Sequence, residues 1–159
     1  GLVPDRGEVH RDLGFAYEAA GNDPAAGLAL SHALKLGEDT ADLHLSLGLV
    51  AMRRGSPELA ENNWQRGLVL EPNHFRTLYN LGLLSFTRGR FDEAGNYWRR
   101  AETADPASPL APFQLARLAS RTGDPAAAAR HLDQALARGL PPAEAQSDPL
   151  LRDIGLRSP

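Results

Sequence analysis

Five histidines, 20 carboxylates and no cysteine are the material from which any catalytic or metal chemistry in this 159-residue chain would be built. His10 and His44 are the suggestive pair, because they stand 34 residues apart at one place of an internal period. A zinc site needs three or four ligands converging within bonding distance. Equivalent residues of stacked helical units lie roughly 10 Å apart, the spacing of packed helices. The two imidazoles are therefore expected to fill the core or lie partly exposed rather than share a metal. His32, His74 and His131 fall at unrelated places in the period. The chain has no phosphate-cradling glycine loop between strand and helix, no G-x-S-x-G and no H-E-x-x-H. Asp92-Glu93 open a predicted helix, where negative charge complements the dipole. These observations lead us to expect no enzyme activity, no cofactor and no metal.

The bulk numbers agree. Apolar residues make up 42% and charged residues 23% of the sequence, ordinary values for a globular chain and too apolar for disorder. The length suits one continuous core. No stretch approaches the roughly 20 apolar residues of a membrane span, and the Gly1–Arg6 lead is too short for a signal peptide. A start at Gly1 rather than Met fits a processed protein or a piece of a longer one. The net charge of −3 lacks the basic footprint of a nucleic-acid binder. Lys35 is the only lysine among 17 basic residues, an arginine dominance that a GC-rich, bacterial genome tends to write. A soluble protein of cytoplasm or periplasm is expected, with no further indication of compartment.

What must position these residues is a repeat. Gly21, Gly55, Gly89 and Gly123 are spaced by 34 residues each. The columns Leu13/Leu47/Leu81/Leu115, Gly14/Gly48/Gly82/Ala116, Ala26/Ala60/Ala94/Ala128 and Ala33/Gly67/Ala101/Ala135 keep the same phase, as does the bulky column Leu30/Trp64/Trp98/Leu132. Each unit reads as a helix, a tight turn at the glycine and a second helix. The first helices are predicted near 7–20, 41–54, 75–88 and 109–122, and the second near 24–37, 57–70, 91–104 and 125–138. Glycine supplies the left-handed residue that ends the first helix. Ser56-Pro57, Asp124-Pro125 and, one residue later in its unit, Asp23-Pro24 read as an N-cap followed by proline at the first helical position. Pro72 and Pro106 close second helices. The small columns let the two backbones approach closely, and the tryptophans fill the wedge between successive hairpins. Single hairpins cannot bury such faces, so the units must stack. In the tail, Asp148–Ile154 reads as a short amphipathic helix capped by Asp148, with Leu150, Leu151 and Ile154 covering the fourth unit.

The residues Leu47-Gly48, Ala60, Trp64, Gly67 and Pro72, repeated as Leu81-Gly82, Ala94, Trp98, Ala101 and Pro106, resemble the tetratricopeptide-repeat (TPR) family. The resemblance covers residues 7–142 and implies an all-α fold, an α-α superhelix. That solenoid would comprise four helical hairpins (7–40, 41–74, 75–108, 109–142) after a lead of residues 1–6. Residues 143–159 would supply a short C-terminal capping helix and tail. The outer units drift, with Glu38 and Leu140 where the family usually has proline and Pro112 where a large residue is common. Such drift suits capping repeats.

In this family the first helices line a concave, peptide-binding groove. Carried over, the resemblance implies a groove from Arg11 and Phe15 of the first unit and Leu45, Leu49, Met52 and Arg53 of the second. The third would add Arg76, Tyr79, Asn80, Leu83 and Phe86, and the fourth Phe113, Gln114, Arg117 and Arg121. Leu45, Leu49, Met52, Tyr79, Leu83, Phe86 and Phe113 would form one contiguous apolar patch, the mark of an interaction site. Asn80, Gln114, Arg76 and Arg117 could bind a partner's backbone or carboxylates. Some of these side chains could instead pack between adjacent first helices. Arg11, Arg76 and Asn80 match a carboxylate clamp known in the family, but Phe15 and Ser46 stand where that clamp wants asparagine. Charge runs along the groove from Glu8, Asp12 and Glu18 to Arg76, Arg117 and Arg121 and would orient a partner.

The expected function is a scaffold that binds a peptide or helix of a partner protein in this groove. The alternative is a structural or self-assembly module whose groove is filled by another subunit or by another domain of a longer parent. RNA binding by the similar pentatricopeptide repeats is disfavoured, because those repeats run one residue longer and this chain is acidic.

Overall fold

Alternating apolar faces and regularly placed turn glycines leave the backbone one regular conformation. A computed structural model describes residues 6–154, and among them every regular element is a helix. α1 (Arg6–Ala19) and α2 (Asp23–Lys35) form the first hairpin, and α3 (Ala41–Arg53) and α4 (Pro57–Leu70) the second. α5 (Phe75–Thr87) pairs with α6 (Phe91–Ala104), and α7 (Leu110–Arg121) with α8 (Pro125–Ala137). α9 (Pro142–Ser147) follows. The chain divides into two compact units, residues 1–77 and 78–159, with the boundary inside α5.

The turns follow from the glycine column. Gly55 sits at φ +74°, where its N–H reaches the Met52 carbonyl and the Ser56 N–H reaches that of Ala51, closing the last turn of α3. Asp124 caps α8 as expected, accepting the Ala127 N–H at 2.9 Å. Two caps differ from the sequence reading. At α2 the cap is Asn22, which accepts the Ala25 N–H, so Asp23 is already helical and its carboxylate is released to Arg53. Ser56 occupies the cap position of α4 without a side-chain hydrogen bond.

The small and large columns meet inside each hairpin. In the first unit a Cβ on Gly48 would run into Trp64 Nε1, so the indole lies directly on the glycine backbone. Its N–H donates to the Leu45 carbonyl at 3.1 Å. In the second unit Trp98 is fully buried on Gly82, with its N–H on the Tyr79 carbonyl. It shares a cluster with Ala94, Leu115 and Leu118, so it also reaches the helix of the next hairpin. The tryptophans are thus first a seal between the two helices of one hairpin.

The tail folds differently from expectation. Its helix is α9, begun by Pro142, whose fixed φ suits a first turn. Asp148 ends that helix, at φ −76° and ψ +122°, instead of starting one. Pro149 ends α9 there, since it disfavours helical geometry in the preceding residue. Residues 149–154 run as turns. The apolar side chains still pack where expected: Leu151 is fully buried with Ala116, Leu132, Ala135, Leu140 and Ala145, and Leu150 and Ile154 lie against them.

Candidate partner-binding site

Helical geometry puts residues three and four apart on one stripe, and α3, α5 and α7 each carry the anticipated stripe. Its exposure is smaller than the sequence suggested. Leu45 is 1% exposed and belongs to the core. Gln114 is 4% exposed and Phe113 packs against the Leu132–Leu151 cluster. Leu49 is half-buried, while Met52, Arg53, Arg76 and Arg121 are exposed.

In the first unit, Phe15, Glu18, Asp42, Ser46 and Arg76 line a hollow of about 280 Å³ on the first helices. Phe15 is half-buried against Ala26, Leu30, Ala33, Leu43 and Val50, so it forms a floor. Arg53 reaches Asp23 at 2.7 Å and Glu18 at 3.6 Å. Arg11 is turned to Glu38 at 2.8 Å and to Asp12 at 3.0 Å, so it is committed inside the chain and contributes no clamp.

In the second unit the stripe is organised by hydrogen bonds. Gln114 Nε2 donates to the Tyr79 hydroxyl at 2.8 Å, and Gln114 Oε1 accepts Arg117 Nη1 at 2.7 Å. The same guanidinium pairs through Nε with Asp148 at 2.9 Å and lies 5.6 Å over the Phe86 ring. A polar chain thus runs from α5 through α7 to the tail. Burial pushes the Tyr79 phenol up, opposed by the Gln114 hydrogen bond and the Arg117 charge, so it stays protonated through the neutral range. Leu83, Phe86 and Tyr79 are half-buried over the Trp98 cluster. Asn80 is half-buried beside them on α5. Arg121 lies 6.0 Å over Phe91.

The expected charge gradient is therefore largely neutralised within each unit: Glu18 faces Arg53, Asp12 faces Arg11 and Arg117 faces Asp148. Sequence reasoning missed the role of Asp148, since a helix cap and an ion-pair partner look alike in sequence. It also missed an apolar hollow of about 520 Å³ on the second helices of the first unit. There Leu28 and Leu59, 66% and 55% exposed, stand beside Leu34 and Val50.

The two histidines of the repeated column meet different partners. His44 is buried between Asp39 at 2.8 Å and Asn63 at 3.2 Å, and His10 meets the ring of His32. Among the described residues no group of three or more histidine, aspartate or glutamate side chains converges as metal ligands. No helix among them is long and apolar enough to cross a membrane.

A family model described as tetratricopeptide repeat matches residues 45–109 and 113–148. Solved structures with similar folds include MamA, at 21% identity and a TM-score of 0.78, covering 85% of this chain and 79% of that one. Pseudomonas aeruginosa pilF is similar at 23% identity and 0.82, covering 96% and 68%. YrrB, described as a TPR protein with an unusual peptide-binding site, is similar at 20% identity and 0.74, covering 96% and 75%. At these identities the likeness is one of fold. Among curated protein sequences none matches this chain.

Proposed function

Since the chain belongs to the tetratricopeptide-repeat family, we propose that it is a protein-interaction scaffold that receives a peptide or helix of a partner protein on its first-helix face. The observation that carries this reading is the Tyr79–Gln114–Arg117–Asp148 chain with Phe86 beneath the guanidinium. A half-buried Tyr79 ring held by the Gln114 hydrogen bond loses little conformational freedom when a partner docks, and such pre-organisation favours affinity. Leu83, Phe86 and Tyr79 offer apolar contact, and the exposed Arg121 offers a planar cation to a partner's carboxylate or backbone. In the first unit the Phe15–Ser46 hollow with Arg76 at its rim provides a second place for a side chain. Catalysis has no part in this reading.

The test is a comparison of partners retained from source-organism lysate by four proteins whose helicity is verified. They are wild type, Leu83→Asp, Arg121→Glu and, as control, Leu59→Asp. Partners lost with the first two variants and kept with the third support the first-helix face. Retention by all four overturns it.

A second reading rests on Leu28 and Leu59: their exposure around the hollow between α2 and α4 suits self-association or cover by another domain. Mass that rises with concentration, and ceases to rise in Leu28→Asp/Leu59→Asp, would favour it.

A further inference from the structure

In each unit the first helix of a hairpin lies under the second helix of the hairpin before it. In the first unit Leu43 and Val50 of α3 are buried with Ala26, Leu30 and Ala33 of α2, and Leu34 and Leu47 pack against them. In the second unit Leu115 and Leu118 of α7 are buried with Ala94 and Trp98 of α6. Val9, Leu13 and Ala16 of α1 stand one period before Leu43, Leu47 and Val50, and their spacing puts them on one stripe. On α1 that stripe is open: Val9 is 47% and Leu13 41% exposed, and Ala16 is exposed as well. A lone exposed leucine needs no explanation. A stripe whose counterparts on α3 and α7 are covered by a helix is a helix seat.

The covering helices show what such a seat selects. Gly27 of α2 and Gly95 of α6 fall in one column of the repeat. A Cβ at Gly27 would meet Val50 Cγ1 at 3.6 Å, and one at Gly95 would meet Leu118 Cδ2 at 3.1 Å. A small residue above thus matches a bulky one below. On α1 the bulky residue is missing, since Ala16 stands where Val50 and Leu118 do. Close packing then calls for the reverse, a bulky apolar residue on the covering helix where α2 and α6 have glycine. Among the described residues a second copy of this chain offers no helix of that kind, because its second helices carry Gly27, Glu61, Gly95 and Ala129 in that column.

We propose that the Val9–Leu13–Ala16 stripe of α1 is a further docking surface, whose occupant is one amphipathic helix of a partner protein. That helix is seated on α1 as α2 is on α3, and it carries a bulky apolar residue where α2 carries Gly27. Recognition of this kind is read by apolar anchors at helical spacing. The surface uses a different stripe of α1 from Phe15 and Arg11, and its test is independent of the docking face on the second unit.

The experiment follows the methyl resonances of Val9, Leu13 and Ala16 by NMR in the full 159-residue protein. The probe is a capped peptide with the sequence of residues 22–37, which includes α2, bearing Gly27→Leu; the unchanged peptide is the comparator. Saturable shifts of the three methyls are expected, with the comparator binding about ten-fold more weakly (about 1.4 kcal/mol). In Val9→Asp/Leu13→Asp the shift of Ala16 should vanish. Should that variant lose helicity, Ala16→Arg serves, and the shifts of Val9 and Leu13 should vanish in it. Silence of all three methyls in the wild type overturns the proposal, as do shifts centred on Leu43 and Val50, which would mean that the peptide displaces α2. Equal binding of the two peptides overturns the bulky-for-small match. Shifts that follow the concentration of the protein alone would make the occupant a second copy and overturn the partner helix.

Discussion

The two units share one foundation and differ in what they build on it. In each, a tryptophan lies on a glycine of its own hairpin, Trp64 on Gly48 and Trp98 on Gly82. Above that seal, the first unit fixes its outward charges by surface pairs: Arg11 with Glu38, Arg53 with Asp23 and Asp39 with Arg66. The second unit fixes Tyr79, Gln114 and Arg117 through a chain that ends on the tail, and the tail is anchored by a fully buried leucine. Exposed pairs such as Arg66 with Asp39 are screened and contribute little, whereas the buried packing of Leu151 is not screened. The second face has that packing behind it, which is the physical reason to look there first for a partner.

The shared foundation carries the largest effect. Trp98→Ala removes a fully buried indole and is expected to cost about 3–5 kcal/mol, and Trp64→Ala a similar amount. Chemical denaturation of both variants measures this. A midpoint unmoved by either would break the common packing scheme.

The next effect separates the units. Leu151→Ala empties a site enclosed by Ala116, Leu132, Ala135, Leu140 and Ala145, at an expected cost of about 2–5 kcal/mol. It also loosens the segment that presents Asp148, so protection of the α7 amides against hydrogen exchange should fall more than that of α3. Equal loss in both would mean that the tail stabilises the whole chain and not the second face.

The contrast between legible and illegible features has the same origin. Gly21, Gly55, Gly89 and Gly123 could be read as turns because four copies of one position report the same backbone demand. The Gly48/Trp64 and Gly82/Trp98 contacts were legible for that reason too. The tail has no second copy, so nothing in the period placed the helix at 142–147, and Asp148-Pro149 looks like the Asp124-Pro125 start of α8. Leu45 and Gln114 were misplaced because two adjacent stripes of an amphipathic helix look alike until the neighbouring helix is known to cover one of them. His10 and His32 escaped notice as a pair because they lie in different columns on the two arms of one hairpin. Periodicity reveals what recurs between repeats. It is silent on what meets within one.

Asp148→Asn makes a smaller, more selective change. The amide oxygen can still accept the Leu150 N–H that Asp148 Oδ1 accepts at 2.8 Å, but the ion pair with Arg117 is lost. Both partners are mostly covered, so a cost of about 1 kcal/mol is expected. If the partner reads Arg117, releasing it from its internal carboxylate should strengthen binding while stability falls. A variant that loses stability and affinity together would show that Asp148 orients the guanidinium and does not compete for it.

The smallest effect is expected in the first unit, and its sign is set by pH. Hydrogen bonds from Arg66 and then His44 hold the Asp39 carboxyl below the usual carboxylate range, against a smaller opposing effect of burial. A depressed folded-state value contributes stability that is present above the ordinary aspartate pKa of about 3.9 and is lost as pH falls through the folded value. The side chain is about one-third exposed, so the contribution is discounted to about 0.5 kcal/mol, the size of a surface pair. Asp39→Asn should thus melt slightly below wild type at neutral pH, and the two curves should converge below about pH 4. Added salt should shrink the gap at neutral pH as well, which distinguishes it from the buried contacts of the second unit. A gap that persists at low pH and high salt would mean that Asp39 acts through geometry, ordering the turn between α2 and α3. The contrast between charge-held and packing-held faces would then fail in the first unit itself.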